Sequence, residues 1–386
     1  MPLPPAIRAT TLRASLALWF CIAPLVHLAA DVETVAPSRR SPTRPGPPLG
    51  EALDIPTPSL ATSVPEPLAP PPAASLVIAT PRIETIPPAP TAPVPAESDP
   101  NNPPVSNWLE AQIELARRGF SSGSIDGAVG PKTRAALRAF QISRNLQPTG
   151  ELDTPTRDIL RLSAPISAQQ TLTVADIARL QPLRPTWLGK SEQTALAHET
   201  ALEAVAENFR AHPNLIRRLN PSIDWSTVAV DMPLVVPAVE RVFPGASAAR
   251  LRIRLADFAL QALDSAGKII AHFPVSIGRE ADSRPLGELH VTVAIRDPNY
   301  TFDPAVFPES AEGRELGRKL ILPPGPNNPV GVAWIGLDRP GYGIHGTPSP
   351  ERVGRAESHG CFRLANWDAR TLLTLAWVGM PVDVEP

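Results

Sequence analysis

The sequence predicts a multi-domain protein in which small helical regions precede a mostly-β C-terminal domain. The chain has 386 residues, which is more than one compact core usually holds. Its 50 prolines are densest in one N-terminal stretch, with 21 of them in residues 31–105, so this stretch is a linker rather than a folded domain. After Arg250 the apolar residues change from a helical period to a period of two, which is typical of a half-buried strand. The net charge of -2 shows no excess of positive charge that would indicate binding of nucleic acid.

The first 30 residues have the pattern of a secretory signal. Arg8 and Arg13 precede a short apolar run over residues 14–30, which closes on small residues. This order predicts a signal peptide over residues 1–30 and an exported, periplasmic protein. An uncleaved membrane anchor is the alternative, but the short length and Pro24 favour cleavage, after which no stable membrane insertion is expected.

Residues 31–105 predict a disordered linker. They are rich in Pro, Ala and Ser and show no lasting apolar period, so they cannot bury enough surface to offset the entropy of ordering. A polyproline-like chain advances about 3 Å per residue, so the linker would reach on the order of 100 Å. We interpret it as a passive spacer.

Residues 106–164 predict a small three-helix domain. Apolar residues recur at helical spacing from Leu109 to Phe120, Pro131 stands at a first helical position, and Thr154 begins a third helix. The motifs of this region, in order, resemble the peptidoglycan-binding type 1 module, and the resemblance implies binding of cell-wall peptide or glycan. They are Arg118-Gly119-Phe120, the run IDGAVGPKT at residues 125–133, Ala139-Phe140-Gln141 and Thr149-Gly150.

Residues 196–238 predict a second small region, of α+β type. A helical stripe begins at Leu202, Pro213 opens another helix, and Met232 to Val236 predicts a short strand. The pair Asn220-Pro221 and the closing Pro-Leu-Val-Val-Pro resemble a degenerate LysM module, which implies binding of glycan strands. The usual opening strand is weak here, so a structural spacer packed on the C-terminal domain is the alternative.

Residues 247–386 predict the mostly-β domain. Alternation gives a strand from Arg250, turn residues at Asp264 to Gly267 begin a hairpin, and further strands are expected at residues 288–295 and 331–337. Only residues 365–376 read as a helix in this domain.

One loop of this domain gathers reactive side chains around Cys361. A cysteine nucleophile works as a thiolate, whose ordinary pKa is about 8.5, and a nearby imidazole can take its proton. A neighbouring glycine lets substrate approach and lets amide N–H groups point at an oxyanion. His345, Gly360 and Cys361 meet these needs. Two alternatives are a buried apolar thiol and a zinc site with His345 and His359, although no fourth ligand is evident.

The sequence around Cys361 resembles the signature of the L,D-transpeptidase catalytic domain of the YkuD type. The run His345-Gly346-Thr347 is followed by an insert and then by SHGCFR at residues 358–363; the separation is 361 − 345 = 16 residues. Pro285-Leu286-Gly287, residues 323–331 and Asn299-Tyr300 resemble further stretches of that family. The implied fold is β-sandwich-like with a short helix.

The resemblance implies a role for each motif residue. Cys361 would attack a peptide carbonyl, His345 would take its proton, and the carbonyl of Gly346 would orient the imidazole. The amides of Gly360 and Cys361 would form the oxyanion hole. The remaining motif positions would shape the loop, and the last of them could also pair with a substrate carboxylate; they are Ser358, His359 and Arg363. Weaker candidates are Tyr300 and Arg355.

The implied reaction needs neither a cofactor nor a metal. Cys361 would be acylated by the third residue of a peptidoglycan stem, releasing D-alanine, and an amine would then take the acyl group. A neighbouring stem would give a 3→3 crosslink, an envelope lipoprotein would give wall anchoring, and water would make the enzyme a hydrolase. A non-catalytic wall-binding protein is the alternative from another class.

Overall fold

The computed structural model describes residues 101–239, 247–307, 309–358 and 360–386. The predicted signal peptide and nearly all of the predicted linker lie outside these residues, and so does His359. No helix in the described part is long and apolar enough to cross a membrane. The helices there are α1 (Trp108–Arg117), α2 (Pro131–Ser143), α3 (Thr154–Ile159), α4 (Val174–Ala178), α5 (Trp187–Ser191), α6 (Ala201–Asn208), α7 (Pro213–Leu219), α8 (Ala311–Leu316) and α9 (Asn366–Leu375).

The strands of the described part are mostly C-terminal. They are β1 (Ser167–Thr171), β2 (Pro233–Pro237), β3 (Arg250–Arg254), β4 (Ala259–Leu263), β5 (Ile269–Pro274), β6 (Ile277–Gly278), β7 (Gly287–Arg296), β8 (Tyr300–Phe302), β9 (Leu320–Leu322), β10 (Ala333–Leu337), β11 (Gly343–His345), β12 (Ala356–Ser358), β13 (Phe362–Arg363) and β14 (Pro381–Glu385).

The three-helix region is confirmed. Asn107 caps α1 because its side chain accepts the N–H of Glu110 at 3.0 Å, and Pro131 is the first residue of α2. Phe120 and Phe140 meet edge to face at 5.5 Å in the core of this bundle.

The second small region begins earlier than its sequence suggested. Helices α6 and α7 and strand β2 lie where the sequence predicted them, but β2 pairs antiparallel with β1, from Ser167 opposite Pro237 to Thr171 opposite Pro233. Helices α4 and α5 lie between β1 and α6. The sequence of β1, SAQQT, is polar and mostly exposed, so it lacks the apolar alternation that reveals a strand.

Eight strands of the C-terminal region form one connected sheet in the order β13-β11-β10-β7-β14-β3-β4-β5. The long strand β7 pairs with β14 along its first half and with β10 along its second half. Both halves contribute to a common apolar core that α9 also joins. The mostly-β prediction is therefore confirmed, and four further strands of this region form two short sheets, β6 with β12 and β8 with β9.

Two local predictions for this domain fared differently. The turn from Asp264 to Gly267 joins β4 to β5, and the Asp264 side chain accepts the N–H of Lys268 at 2.9 Å. The expectation of a single helix was wrong, because α8 is also present. This helix has six residues, with Ser310 as its N-cap and Gly317 as its left-handed C-cap, so it is too short to show a helical period.

The helical bundle packs directly on the edge of the sheet. The backbone N–H of Ser121 donates to the carbonyl of His272 in β5 at 2.8 Å. The backbone N–H of His272 in turn donates to the carbonyl of Gly119 at 2.9 Å. Leu263 and Ile269 of the sheet join the core of the bundle. The bundle therefore covers an edge strand that would otherwise expose unpaired backbone groups.

A buried carboxyl stands where the bundle, the second region and α9 meet. Asp368 is 1% exposed, and its Oδ2 accepts a hydrogen bond from Ser121 at 2.8 Å, while its Oδ1 has no partner among the described residues. Burial raises the pKa of Asp368 to about 7, against the opposing charges of Arg210 and Lys132. The native state therefore favours the protonated carboxyl.

Stability should fall as pH rises through this ionisation. Because the folded pKa of Asp368 exceeds the unfolded value, its contribution is complete below pH 4 and is lost by about pH 7, on the order of 4 kcal/mol. Asp368→Asn should remove this dependence and stabilise the protein at pH 8. Urea unfolding of the wild type and the variant from pH 4 to 8 measures it, with exposed Asp158→Asn as control. A difference between Asp368→Asn and wild type that stays constant across this range would contradict the assignment.

Candidate active site

Two parallel strands bring Cys361 and His345 to one face of the sheet. Strand β11 pairs with β13, with Ile344 opposite Phe362 and His345 opposite Arg363. Side chains alternate along a strand, so Cys361 and Arg363 share the face of His345, while Ile344 and Phe362 point into the core. The two side chains also share a neighbour, because Cys361 packs against the apolar cluster that contains Trp334, and Trp334 stacks on His345.

The imidazole of His345 is held on two sides. Its Nδ1 lies 2.6 Å from the carbonyl oxygen of Gly346, and its ring stacks on Trp334 at 5.6 Å with a 23° interplanar angle. A carbonyl can only accept, so Nδ1 carries the proton and Nε2 of the neutral ring is the basic nitrogen. Burial and the charge of Arg363 lower the pKa of His345 to about 3. The imidazole is therefore neutral at physiological pH.

Trp334 lies over two glycines that leave room for its ring. A Cβ on Gly343 would stand 2.6 Å from the indole, and one on Gly336 would stand 3.1 Å from Nε1. Both glycines lie on the same face as His345, because Gly336 is opposite Gly343 and Trp334 is opposite His345. The stacking partner of the imidazole is thus fixed by the sequence of both β10 and β11.

Asn366, the first residue of α9, fixes the backbone that orients His345. Its Oδ1 accepts the N–H groups of Thr347 at 3.1 Å and Val332 at 3.3 Å. Gly331 and Gly346 pack so closely on this amide that a Cβ on either would lie within 2.2 Å of Oδ1. The Gly346 carbonyl therefore sits in a turn that only glycine permits at these positions.

Cys361 is a partly exposed free thiol and the single cysteine of the described residues. Its Sγ lies 3.5 Å from the carbonyl oxygen of Gly341. Burial raises the pKa of the Cys361 thiol above its ordinary value, while a hydrogen bond from Gly343 and the charge of Arg363 pull it down. With a neutral imidazole nearby, the resting pair is a thiol and an imidazole rather than an ion pair.

The turn before Cys361 is closed by Ser358. Its hydroxyl donates to the carbonyl of Cys361 at 2.6 Å and accepts the N–H of Gly360 at 3.2 Å. Gly360 has φ +144°, and a Cβ there would approach the Tyr342 ring to 2.9 Å. Because the Gly360 amide already has a partner, the Cys361 amide is the remaining candidate of the two expected oxyanion donors.

Arg363 and Tyr300 complete the surroundings of the thiol. Nε of Arg363 is buried without a hydrogen-bond partner among the described residues, and its charge acts on both Cys361 and His345. Burial and the charge of Cys361 raise the pKa of Tyr300, which places this phenol next to the Cys361 thiol. Arg355 is exposed, and its charge acts on Lys132 in the helical bundle instead.

The sequence alone did not predict Trp334, Asn366 or the paired glycines as parts of the site. Trp334 was part of a predicted strand, but the fact that it faces His345 depends on the register of β10 with β11. Asn366 stood at the start of a predicted helix with no sign of its reach to Gly331. The described residues contain no group of three or more His, Cys, Asp or Glu side chains that could hold a metal ion.

The raised thiol pKa predicts how Cys361 reacts with iodoacetamide. Because burial raises the pKa of the Cys361 thiol, little of it is ionised at pH 7, so alkylation should be slow there and should still be rising with pH above pH 8. Arg363→Gln should slow alkylation further at pH 8, because it removes the charge that stabilises the thiolate. Mass spectrometry of alkylated protein over time measures both effects. A rate that levels off below pH 8 would contradict a raised pKa.

Comparisons with known proteins agree with the two regions that carry motifs. Residues 248–384 match the family described as the L,D-transpeptidase catalytic domain, and residues 105–160 match the "Putative peptidoglycan binding domain". The chain is 25% identical to "Putative L,D-transpeptidase YkuD" of Bacillus licheniformis over 48% of its length and 93% of the relative. It is 34% identical to "Putative L,D-transpeptidase YqjB" of Bacillus subtilis, over 30% of its length and 59% of that relative.

Solved L,D-transpeptidase structures are more distant. The structure from Xylanimonas cellulosilytica is 16% identical with a TM-score of 0.31, covering 78% of this chain and all of that chain. L,D-transpeptidase 3 of Mycobacterium tuberculosis is 17% identical with a TM-score of 0.29, covering 36% of this chain and 61% of that chain.

Proposed function

We propose, from the premise that residues 248–384 form an L,D-transpeptidase catalytic domain beside a peptidoglycan-binding domain, that this protein is a peptidoglycan L,D-transpeptidase with Cys361 as its nucleophile. One observation carries the proposal. His345 and Cys361 share one sheet face, and the bond from Nδ1 of His345 to the Gly346 carbonyl leaves Nε2 as the base.

In the first step, Nε2 of His345 takes the thiol proton as Sγ of Cys361 attacks the carbonyl carbon of the third stem residue. A neutral imidazole suits this role, because it can accept the thiol proton while Sγ attacks. No thiolate–imidazolium pair has to form beforehand. The oxyanion forms toward the Cys361 amide. The C–N bond to D-alanine then breaks, His345 returns the proton to the departing amine, and a thioester remains.

In the second step, an amine attacks the thioester carbonyl. His345 takes a proton from the attacking nitrogen, the C–S bond breaks, and the thiol is restored. A diaminopimelate amine of a neighbouring stem gives a 3→3 crosslink, and a lipoprotein lysine gives wall anchoring. We propose the crosslink as the principal product, with wall anchoring as the alternative.

Arg363 is proposed to bind a substrate carboxylate next to the nucleophile. Its Nε is buried and has no partner among the described residues, a cost that a carboxylate would relieve through a charge-assisted hydrogen bond. Ser358 is proposed to hold the turn, and Tyr300 to line the opposite wall of the cleft. His359 keeps its predicted loop-shaping role as a proposal.

The accessory regions are proposed to bind peptidoglycan in the periplasm after export. The pairing of β1 with β2 around α6 and α7 supports a LysM-like arrangement for the second region. This region also contacts the catalytic domain directly, because Asn327 donates to Glu203 at 2.7 Å and Asn366 donates to Glu207 at 3.0 Å. Docked in this way, it would also support the Asn366 turn beside His345.

Muropeptide analysis tests the function. Purified protein is incubated with isolated, tetrapeptide-rich sacculi, and the digested products are separated and weighed. Free D-alanine and new 3→3-linked dimers are expected. Release of D-alanine with tripeptides but without dimers would show that water, rather than an amine, accepts the acyl group. An absence of D-alanine release would contradict the proposed enzymatic activity itself.

A further inference from the structure

A cavity of about 390 Å³ lies between the second small region and α9, away from Cys361. Its walls come from β1, α4, the end of α6 and β2 on one side, and from β7 and α9 on the other. Helix α9 packs with Ile335, Ile344 and Phe362 in one core, and these residues occupy the sheet face opposite Cys361 and His345. The cavity is therefore separate from the candidate active site.

Three arginines line the cavity, and two of them are available to a ligand, because the charge of the third, Arg210, acts on the carboxyl of Asp368. Arg296 ends β7 and Arg370 lies on α9, and neither has an ion pair or a side-chain hydrogen bond within the described part of the chain. Arg296 is opposite Ala333, whose side chain belongs to the α9 side of the sheet, so its position on this face follows from register. Two cations converging on one cavity favour an anionic group between them.

The acidic side chains of the wall are already occupied. Oδ2 of Asp176 accepts the hydroxyl and the N–H of Thr173 in a capping box. Oε1 of Glu207 accepts Nδ2 of Asn366 at 3.0 Å and lies 3.5 Å from Nε2 of His198. Because these carboxylates already have partners within the protein, the arginines are the charged groups of the wall that can bind a ligand.

The rest of the wall combines apolar side chains, among them Phe209 and Leu234, with the ring of Trp367 and several uncharged polar groups. Trp367 is 7% exposed, and its Nε1 is buried with no hydrogen-bond partner among the described residues. A buried indole N–H usually has a partner, so this one points to a missing acceptor. Hydroxyl and amide side chains that can both donate and accept also line the cavity, namely Gln170, Thr171, Asn208, Thr371 and Thr374.

We propose that this cavity binds a carboxylate-bearing saccharide, with the carboxylate on Arg296 and Arg370 and the sugar against Trp367. The volume is within the range of sites that take small ligands. A ligand there would bridge the second region and α9 without entering the catalytic cleft. The choice of a cell-wall sugar as ligand rests on the proposed function, whereas the chemical class rests on the wall residues.

Calorimetry with a matched pair of sugars tests the site. The full chain carrying Cys361→Ala is titrated with the disaccharide of N-acetylglucosamine and N-acetylmuramic acid, and separately with chitobiose, which lacks the lactyl carboxylate. Neither sugar carries a stem peptide, so neither can acylate Cys361 or accept from it. The acidic sugar should bind at least about tenfold more tightly, and its binding should weaken with salt.

Variants assign the binding to the cavity. Arg296→Ala with Arg370→Ala should weaken binding of the acidic sugar at least about tenfold, while Arg318→Ala, an exposed arginine outside the cavity wall, should leave it unchanged. Equal affinities for the two sugars, unaltered binding by the double variant, or no binding of either sugar would each overturn the proposal. None of these results would affect acylation of Cys361.

Discussion

Cys361→Ala is expected to eliminate D-alanine release from tetrapeptide stems, a loss of at least about 10³-fold in turnover. The reason is chemical, because a thioester needs a thiol and Cys361 is the single cysteine of the described residues. The fold should survive, since Cys361 is partly exposed and the change removes only one sulfur atom from the edge of an apolar cluster. Liquid chromatography of released D-alanine measures the rate.

Cys361→Ser is the conservative companion to this variant. A serine hydroxyl ionises far less readily than a thiol, so this variant should be nearly as inactive as the alanine variant. Circular dichroism and thermal unfolding should match wild type for both. Retention of more than a tenth of the wild-type rate by either folded variant would remove Cys361 from the reaction.

His345→Gln is expected to lower the rate of D-alanine release by about 10² to 10⁴-fold. The imidazole is the base that takes the thiol proton, and a glutamine amide cannot accept it. The effect of His345→Gln on the reactivity of Cys361 should depend on pH, whereas the effect of a structural defect should not. Iodoacetamide alkylation of Cys361 needs no base once the thiol has ionised, so the variant should alkylate as fast as wild type near pH 10.

His290→Gln is the matched control for this substitution. His290 is exposed on β7, where its Nδ1 lies 3.1 Å from Asp338, and it makes no contact with the candidate site. It should release D-alanine at the wild-type rate. If His345→Gln were equally active, or if it alkylated slowly even at pH 10, the assignment of His345 as the base would be wrong.

The reactive loop could be predicted from the sequence because its reactive residues lie close together in the chain. His345, Gly360 and Cys361 lie within 16 residues, and their residue types alone suggest a thiol with a base and a permissive backbone. The alternation after Arg250 and the turn at Asp264 likewise depend on neighbours in the chain. Such features need no knowledge of which strands pair.

The features that sequence could not supply depend on contacts between distant segments. Trp334 faces His345 only because β10 and β11 pair in one register, and Asn366 reaches Gly331 only after α9 has docked. The polar strand β1 is recognisable only by its partner β2. Likewise, nothing in the helical motifs indicates that Ser121 would meet Asp368 across a domain boundary.

The most direct test of the central claim is the intact mass of the protein during turnover. Wild-type protein is mixed with the disaccharide-tetrapeptide, quenched in acid and weighed, and the modified peptide is then sequenced by fragmentation. We expect an added mass equal to the substrate minus alanine, located on Cys361 and released by hydroxylamine, with no adduct on Cys361→Ala. An adduct on another residue, or the same adduct on Cys361→Ala, would contradict it.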